Sequence, residues 1–189
     1  MFWGIDPSIS NTGLVGLDEN GELVVAMDCG KNLTEKFKVA RYVQQAALIA
    51  EVIKGYKGPH FLAYEDYIYD EKCKHKLASL AEQGGAIKAA LLGIGVTETI
   101  YASPTEVKLF GYGDGHATKP MVAEAMIIEF PELKGRVSRR QGYDLTDAAS
   151  LALMCLYNHD PDLAIALSKD ASRTRDRAGL ALKKAVIPL

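Results

Sequence analysis

The sequence predicts an α/β domain: one mixed five-stranded sheet with helices on both faces. Two observations predict it. The N-terminal stretch holds three short apolar runs, and Asp18-Glu19-Asn20-Gly21 joins the second to the third, a strong hairpin signal. That start reads as an antiparallel meander. Beyond it, helical periodicity alternates with two further short apolar runs, which calls for parallel crossovers.

The elements follow in order. Phe2, Trp3 and Ile5 favour a buried strand, and the run stops at Asp6, before the turn formers Pro7, Ser8, Ser10, Asn11 and Gly13. A carboxylate therefore ends a strand at the rim of the sheet. Read alone, Asp6 is equally a cap for its own turn. Thr12 to Leu17 and Glu22 to Met27 are the next strands. Asn32 to Thr34 can cap a helix running to about Lys54, with Phe37, Ala40, Val43, Ala47, Ala50 and Ile53 as its buried stripe. His60 to Tyr64 reads as a central strand, and it too runs into carboxylates, Glu65 and Asp66. Neighbours along a strand point to opposite faces, so Asp66 either supports the site from behind or is structural.

Tyr67 to Lys76 reads as a loop and Leu77 to Leu92 as an Ala-rich helix. Glycine costs a helix about 1 kcal/mol, so Gly84-Gly85 marks either a kink or the close approach of another backbone, such as a partner subunit. Glu98 to Ala102 is the fifth strand, Ser103-Pro104 starts a short helix, and Thr118 caps a helix from Lys119 to about Phe130. Lys134, Arg136, Arg139 and Arg140 form a basic loop before the last strong helix, Asp144 to Asn158. The core domain is thus 1–158, and 159–189 is a basic helical extension. The extension carries Lys169, Arg173, Arg175, Arg177, Lys183 and Lys184, either as a phosphate-binding arm or as a solvated helix.

Composition narrows the function. Lys and Arg number 22 against 24 Asp and Glu, which argues against nucleic-acid binding by bulk field but leaves room for local basic surfaces. No apolar run reaches the roughly 18 residues of a membrane span, and no signal peptide is visible. Cys29, Cys73 and Cys155 stand singly, as in a reducing cytoplasm. No Walker loop is present, so no nucleotide cofactor is expected.

Asp144 and Asp147 stand three apart at a helix start and share one face. The helix dipole accounts for one of them well, but not for Asp6 and Glu65 at strand ends. Converging carboxylates repel unless a cation sits between them, and oxygen ligands suit Mg²⁺ or Mn²⁺. Two such ions about 4 Å apart are the standard device for phosphodiester hydrolysis.

At this point the chain resembles a known family, the RuvC-type Holliday junction resolvases of the ribonuclease-H-like nuclease superfamily. The matching pieces are GIDPSISNTG at 4–13, AYED at 63–66, GGAIKAAL at 84–91, YASPTEVK at 101–108, GYGDGHATKPMV at 111–122 and DLTDAASLAL at 144–153. They occur in the family's order. The resemblance implies a ribonuclease-H-like fold and a crossover junction endodeoxyribonuclease. It would cut four-way DNA junctions by paired symmetric nicks, leaving 5′-phosphate and 3′-hydroxyl ends. It implies Asp6, Glu65, Asp144 and Asp147 as catalytic carboxylates holding two Mg²⁺ ions, for which Mn²⁺ substitutes. Lys108 and Lys119 fall on basic positions near the scissile phosphate. Tyr67, Ile68 and Tyr69 stand where the family wedges a side chain into the junction, and Arg136, Arg139 and Arg140 would add DNA contacts. A homodimer follows, with the helix around Gly84 and Gly85 as its candidate interface. The setting implied is a bacterial cytoplasm, and the compact size with a long tail looks like a bacteriophage-encoded member. The alternatives are a nuclease of the same fold acting on flaps, Y-forks or RNA/DNA hybrids, and a junction-binding protein without chemistry. The GIDP turn also looks like the phosphate loop of actin-like ATPases, which need a far longer chain.

Overall fold

The computed structural model describes residues 1–30, 33, 37–67, 74–137, 142–169, 177 and 184–189, with backbone alone at 74–76. The sheet comprises β1 (Phe2–Asp6), β2 (Gly13–Leu17), β3 (Leu23–Asp28), β4 (Phe61–Glu65), β5 (Glu98–Ala102) and β6 (Val186–Pro188), in the order β3-β2-β1-β4-β5-β6. The first three strands pair antiparallel, as expected of the meander, and β4 and β5 continue from β1 in parallel. The sixth strand departs from the five expected. It pairs antiparallel with β5 at the far edge and comes from the end of the chain. Three residues are too few for periodicity to show in sequence, and a proline is tolerated there because the strand is an edge.

Helices α1 (Lys38–Lys54) and α2 (Lys74–Gly93) cover one face. On the other face lie α3 (Pro104–Tyr112), α4 (Lys119–Glu129), α5 (Tyr143–His159) and α6 (Pro161–Leu167). Strand alternation divides the core between them. Phe2, Val15, Leu17, Ala63 and Ile100 pack toward α5, while Trp3, Ile5, Leu14, Leu62 and Tyr64 pack toward α1 and α2. Both described cysteines, Cys29 and Cys155, are buried and unpaired.

The face that α1 buries differs from the expected stripe. Phe37 and Val43 are 78% and 57% exposed, and the buried residues are Tyr42, Gln45, Ala46, Ile49, Ala50 and Ile53. Apolar character alone marks the expected stripe, but the amide of Gln45 is buried on Gln83 of α2 and shifts the buried face. Helix α2 begins at Lys74, so the end of the expected loop is helical. The Ser103 cap is a full capping box with Glu106, whereas the Thr118 side chain makes no capping bond.

Helix α5 lies unusually close to the sheet. A Cβ on Gly4 would overlap the carbonyl oxygen of Ala148, and one on Gly13 would overlap that of Asp144. Only glycine at these two strand positions lets the helix backbone rest on the strands.

The described basic residues of the tail bond to the core domain. Arg177 is 1% exposed and pairs with Glu129, which is 4% exposed. Its guanidinium also donates to the carbonyls of Phe110 (3.2 Å) and Gly111 (3.4 Å). Lys169 Nζ donates to the Glu129 carbonyl at 2.8 Å, and Lys184 Nζ lies 2.5 Å from Glu106 and 3.0 Å from the Tyr101 carbonyl. These three cations bind the tail to α4, α3 and β5; Arg177 is buried and Lys184 half-buried, while Lys169 stays exposed. Arg173, Arg175 and Lys183 lie outside the described residues.

Removing one member of a buried ion pair strands the other charge. Arg177→Met should therefore lower the unfolding free energy by roughly 3–5 kcal/mol. The exposed pair Lys38–Glu82, 3.1 Å apart, should be worth less than about 1 kcal/mol on the same urea curves. Equal effects at the two sites would show that Arg177 does not anchor the tail.

Candidate metal centre

The register of β1 and β4 brings two acids side by side. Gly4 is opposite Ala63 and Ile5 opposite Tyr64, and one step further Asp6 reaches Glu65. Alternation points Gly4, Asp6, Ala63 and Glu65 all toward α5. The N-terminal end of that helix carries Asp144 in its first turn and Asp147 just beyond it, and its close seat on the glycines sets them against the strand ends. Carboxylate oxygens of Asp6, Glu65 and Asp147 lie within 4.8 Å of one another. Lys119, the first residue of α4, places Nζ 3.5 Å from Asp147 and 3.8 Å from Asp144. All four acids, with Lys108 and Lys119, line one open groove of about 520 Å³, walled also by Ile9 and Leu80.

The electrostatics of this cluster are strained. Burial pushes the Asp6 carboxyl well up, and the charges of Glu65 and Asp147 push it further. Glu65 is raised to about 7, mainly by burial, with a hydrogen bond from Asp6 opposing the shift. Asp144 and Asp147 are also raised by burial, against the pull of Lys119. Lys119 in turn is raised: burial works against its charge, but Asp147, Asp6 and Asp144 prevail. One described lysine ion-pairs with this group of acids, and it does not balance them. The donors are all hard carboxylate oxygens, without histidine or cysteine, so they fit Mg²⁺ or Mn²⁺.

Several residues that hold this arrangement carry no signal in the sequence. Asn11 donates to Asp28 at 2.8 Å and also bonds Asp144. Arg41 of α1 binds the carbonyls of Ser10 (3.2 Å) and Gly30 (2.8 Å). Gln83 of α2 donates to the Ser8 carbonyl at 2.7 Å and to Thr12 at 2.9 Å. Each acts across elements far apart in the chain, where spacing says nothing. Asp66 is exposed and accepts the Tyr67 N–H at 2.8 Å, a local turn bond.

The other expected contacts fall differently. Arg136 donates to the Ala26 carbonyl of β3 at 2.6 Å and does not line the groove. Tyr67 is half-buried with its hydroxyl on Tyr64. Ile68, Tyr69, Arg139 and Arg140 lie outside the described residues. Among those described, no helix is long and apolar enough to cross a membrane.

A three-strand antiparallel meander continued by parallel strands, with acids at two neighbouring strand ends and at a helix start, defines a ribonuclease-H-like protein. The sequence model of the family "Crossover junction endodeoxyribonuclease RuvC" matches residues 2–155. The chain belongs to the RuvC family, whose members depend on divalent metal. It is 29% identical over 160 residues to the crossover junction endodeoxyribonuclease RuvC of Prochlorococcus marinus, covering 83% of this chain and 98% of that protein. Among solved structures, T. thermophilus RuvC in complex with Holliday junction substrate shares the fold at a TM-score of 0.60 and 22% identity, over 99% of this chain and 98% of that one. A further Thermus thermophilus RuvC structure, also 22% identical, covers the same shares at a TM-score of 0.56.

The raised Glu65 carboxyl fixes a sign for stability. The folded protein holds this proton more tightly than the unfolded chain, so metal-free stability falls as pH rises from about 4.5 to about 7. In EDTA, Glu65→Gln should melt roughly 2–4 °C or more above the parent at pH 8, and the difference should shrink at pH 5. A variant no more stable than the parent at pH 8 would contradict this description of the cluster.

Proposed function

We propose that this chain is a Holliday junction resolvase. It nicks two strands of a four-way DNA junction, at symmetric positions, by metal-dependent hydrolysis. The observation that carries the reading is the cluster of Asp6, Glu65, Asp144 and Asp147 in an open groove beside Lys119, in a chain of this family. Asp6 and Glu65 would hold one cation, and Asp6 with Asp144 and Asp147 a second. Mg²⁺ is the expected ion and Mn²⁺ its substitute.

When bound, the cations supply Lewis acidity at the phosphate and activation of the attacking water. The chain's own residues do the rest. Asp6, between the two positions, ties them to one strand end. Lys119, held by Asp144 and Asp147, places a positive charge where the phosphate gathers negative charge. Lys108 lines the same groove and offers a second basic contact. Ile9 and Leu80 add apolar walls to the groove. In each nick a water oxygen bonds to phosphorus and the P–O3′ bond breaks. The 5′ end keeps the phosphate, and the leaving 3′ oxygen takes a proton.

Two symmetric nicks call for two sites related by a two-fold axis, hence a homodimer. The exposed face of α2 supports this. Ala78, Ala81, Gly85 and Ala89 lie there, and a Cβ added to Gly85 meets nothing among the described residues. The two glycines thus have different surroundings, since Gly84 faces inward. Recognition rests on phosphate contacts and junction shape. The core domain 1–158 carries the chemistry and 159–189 braces it. The place of action is a bacterial cytoplasm.

The test is cleavage of a synthetic mobile four-way junction with Mg²⁺ or Mn²⁺, by the parent and by Asp6→Asn. Paired symmetric nicks from the parent and none from the variant are expected. Lys119→Met should lower kcat by about 10²–10³-fold. Cuts in flaps or forks alone would redefine the substrate, and binding without cleavage in either metal would remove the enzymatic reading. Junction affinity should also fall steeply between about 50 and 200 mM salt.

A further inference from the structure

We propose that α2 sets the spacing of Asp6 and Glu65. Gln83 and Gly84 are its positioning residues, and Tyr67 is the side chain through which Gly84 acts. The inference rests on the metal-centre reading above and assigns new residues to it.

Tyr67 lies two residues beyond Glu65, where the chain leaves β4. Its phenol is turned away from the groove and into the sheet face covered by α2. The hydroxyl is 3.2 Å from that of Tyr64, and the two rings meet edge-on with centroids 6.4 Å apart. Lys88 of α2 closes the cluster. Its Nζ lies 4.5 Å from the ring centroid of Tyr101, 5.2 Å from Tyr64 and 5.9 Å from Tyr67, within the range of cation–π attraction. The end of the phenol rests on Gly84. A Cβ there would overlap the Tyr67 hydroxyl, and would lie 2.8 Å from Tyr67 Cζ and 3.0 Å from Tyr64 Oη. This contact explains a helix-interior glycine that otherwise costs stability. It also makes Tyr67 an anchor rather than a wedge.

The neighbouring residue holds the other acid. Gln83 is buried, and its amide reaches the Ser8 carbonyl and the Thr12 hydroxyl in the turn that follows Asp6. Its side chain also meets the buried amide of Gln45 on α1. Adjacent residues of one helix therefore grip the exits of β1 and β4, the two strands that end in metal-facing carboxylates. A rigid helix at both points converts a loose pair of strand ends into a fixed spacing, as second-shell partners do in metal sites generally.

The experiment measures Mn²⁺ affinity of the full chain by electron paramagnetic resonance, with metal-free junction binding and melting curves alongside. Gly84→Ala and Gln83→Met should weaken Mn²⁺ binding about 10–100-fold, while junction affinity in EDTA stays within about twofold. In cleavage assays kcat should fall and KM hold. Tyr67→Phe, which keeps the ring, should act in the same direction but more weakly, and it carries the test with Gln83→Met if Gly84→Ala does not fold. Tyr67→Leu combined with Gly84→Ala should be no worse than the poorer single variant, because both break one contact. Unchanged Mn²⁺ affinity in the folded variants, additive losses, or an equal loss of metal-free junction binding would each overturn the proposal. Failure of the parent to bind Mn²⁺, or binding by Asp6→Asn as tight as the parent's, would instead bring down the metal-centre reading and this inference with it.

Discussion

The backbone of α5 rests directly on β1 and β2, and the rest of the site depends on that contact. Gly4 and Gly13 leave the space, since a methyl group at either position would overlap a carbonyl oxygen of the helix. The contact does more than bury apolar surface. It sets the N-terminal end of α5, with Asp144 and Asp147, against the ends of β1 and β4, with Asp6 and Glu65. Interiors are packed too tightly for the helix to drift without disturbing the core around it. The same contact that closes the core therefore concentrates negative charge at one edge of it.

That concentration is unfavourable for the protein alone. Burial raises all four carboxyls, and Lys119 offsets only part of their charge. A fold tolerates such a cluster when surrounding contacts over-determine it. Here α1 and α2 supply them from the far side of the sheet, through Arg41 on the Ser10 and Gly30 carbonyls and Gln83 on the turn after Asp6. The tail supplies others, since Arg177 and Lys184 hold α3 and α4, which bring Lys108 and Lys119 to the groove. On the proposed reading the acids are a strained, preformed cation site on rigid elements, suited to hydrolysis of a phosphodiester.

Much of this was legible in the sequence because it follows short-range rules. The Asn20-Gly21 hairpin, the apolar runs ending at Asp6 and Glu65, and the acids at the start of α5 are local patterns with local causes. Where the reading went astray, long-range contacts decided. Apolar spacing puts Val43 in the buried stripe of α1, but the buried face is shifted round the helix to include Gln45, and nothing near residue 45 announces its partner at 83. Gly84 and Gly85 look alike in sequence, yet a tyrosine from another element fills the space over one and not the other. A run of basic residues in the tail suggested phosphate binding or a wet face. Arg177 is instead buried against Glu129, a partner 48 positions away.

The central claim is that these acids form a two-ion centre on a packed, preformed scaffold. Anomalous diffraction from Mn²⁺-soaked crystals tests it most directly. The account predicts two manganese peaks about 4 Å apart, one against Asp6 and Glu65 and the other against Asp6, Asp144 and Asp147, with α5 and the strand ends where they stand here. Manganese bound elsewhere on the chain, or bound here only after α5 has moved off Gly4 and Gly13, would contradict it.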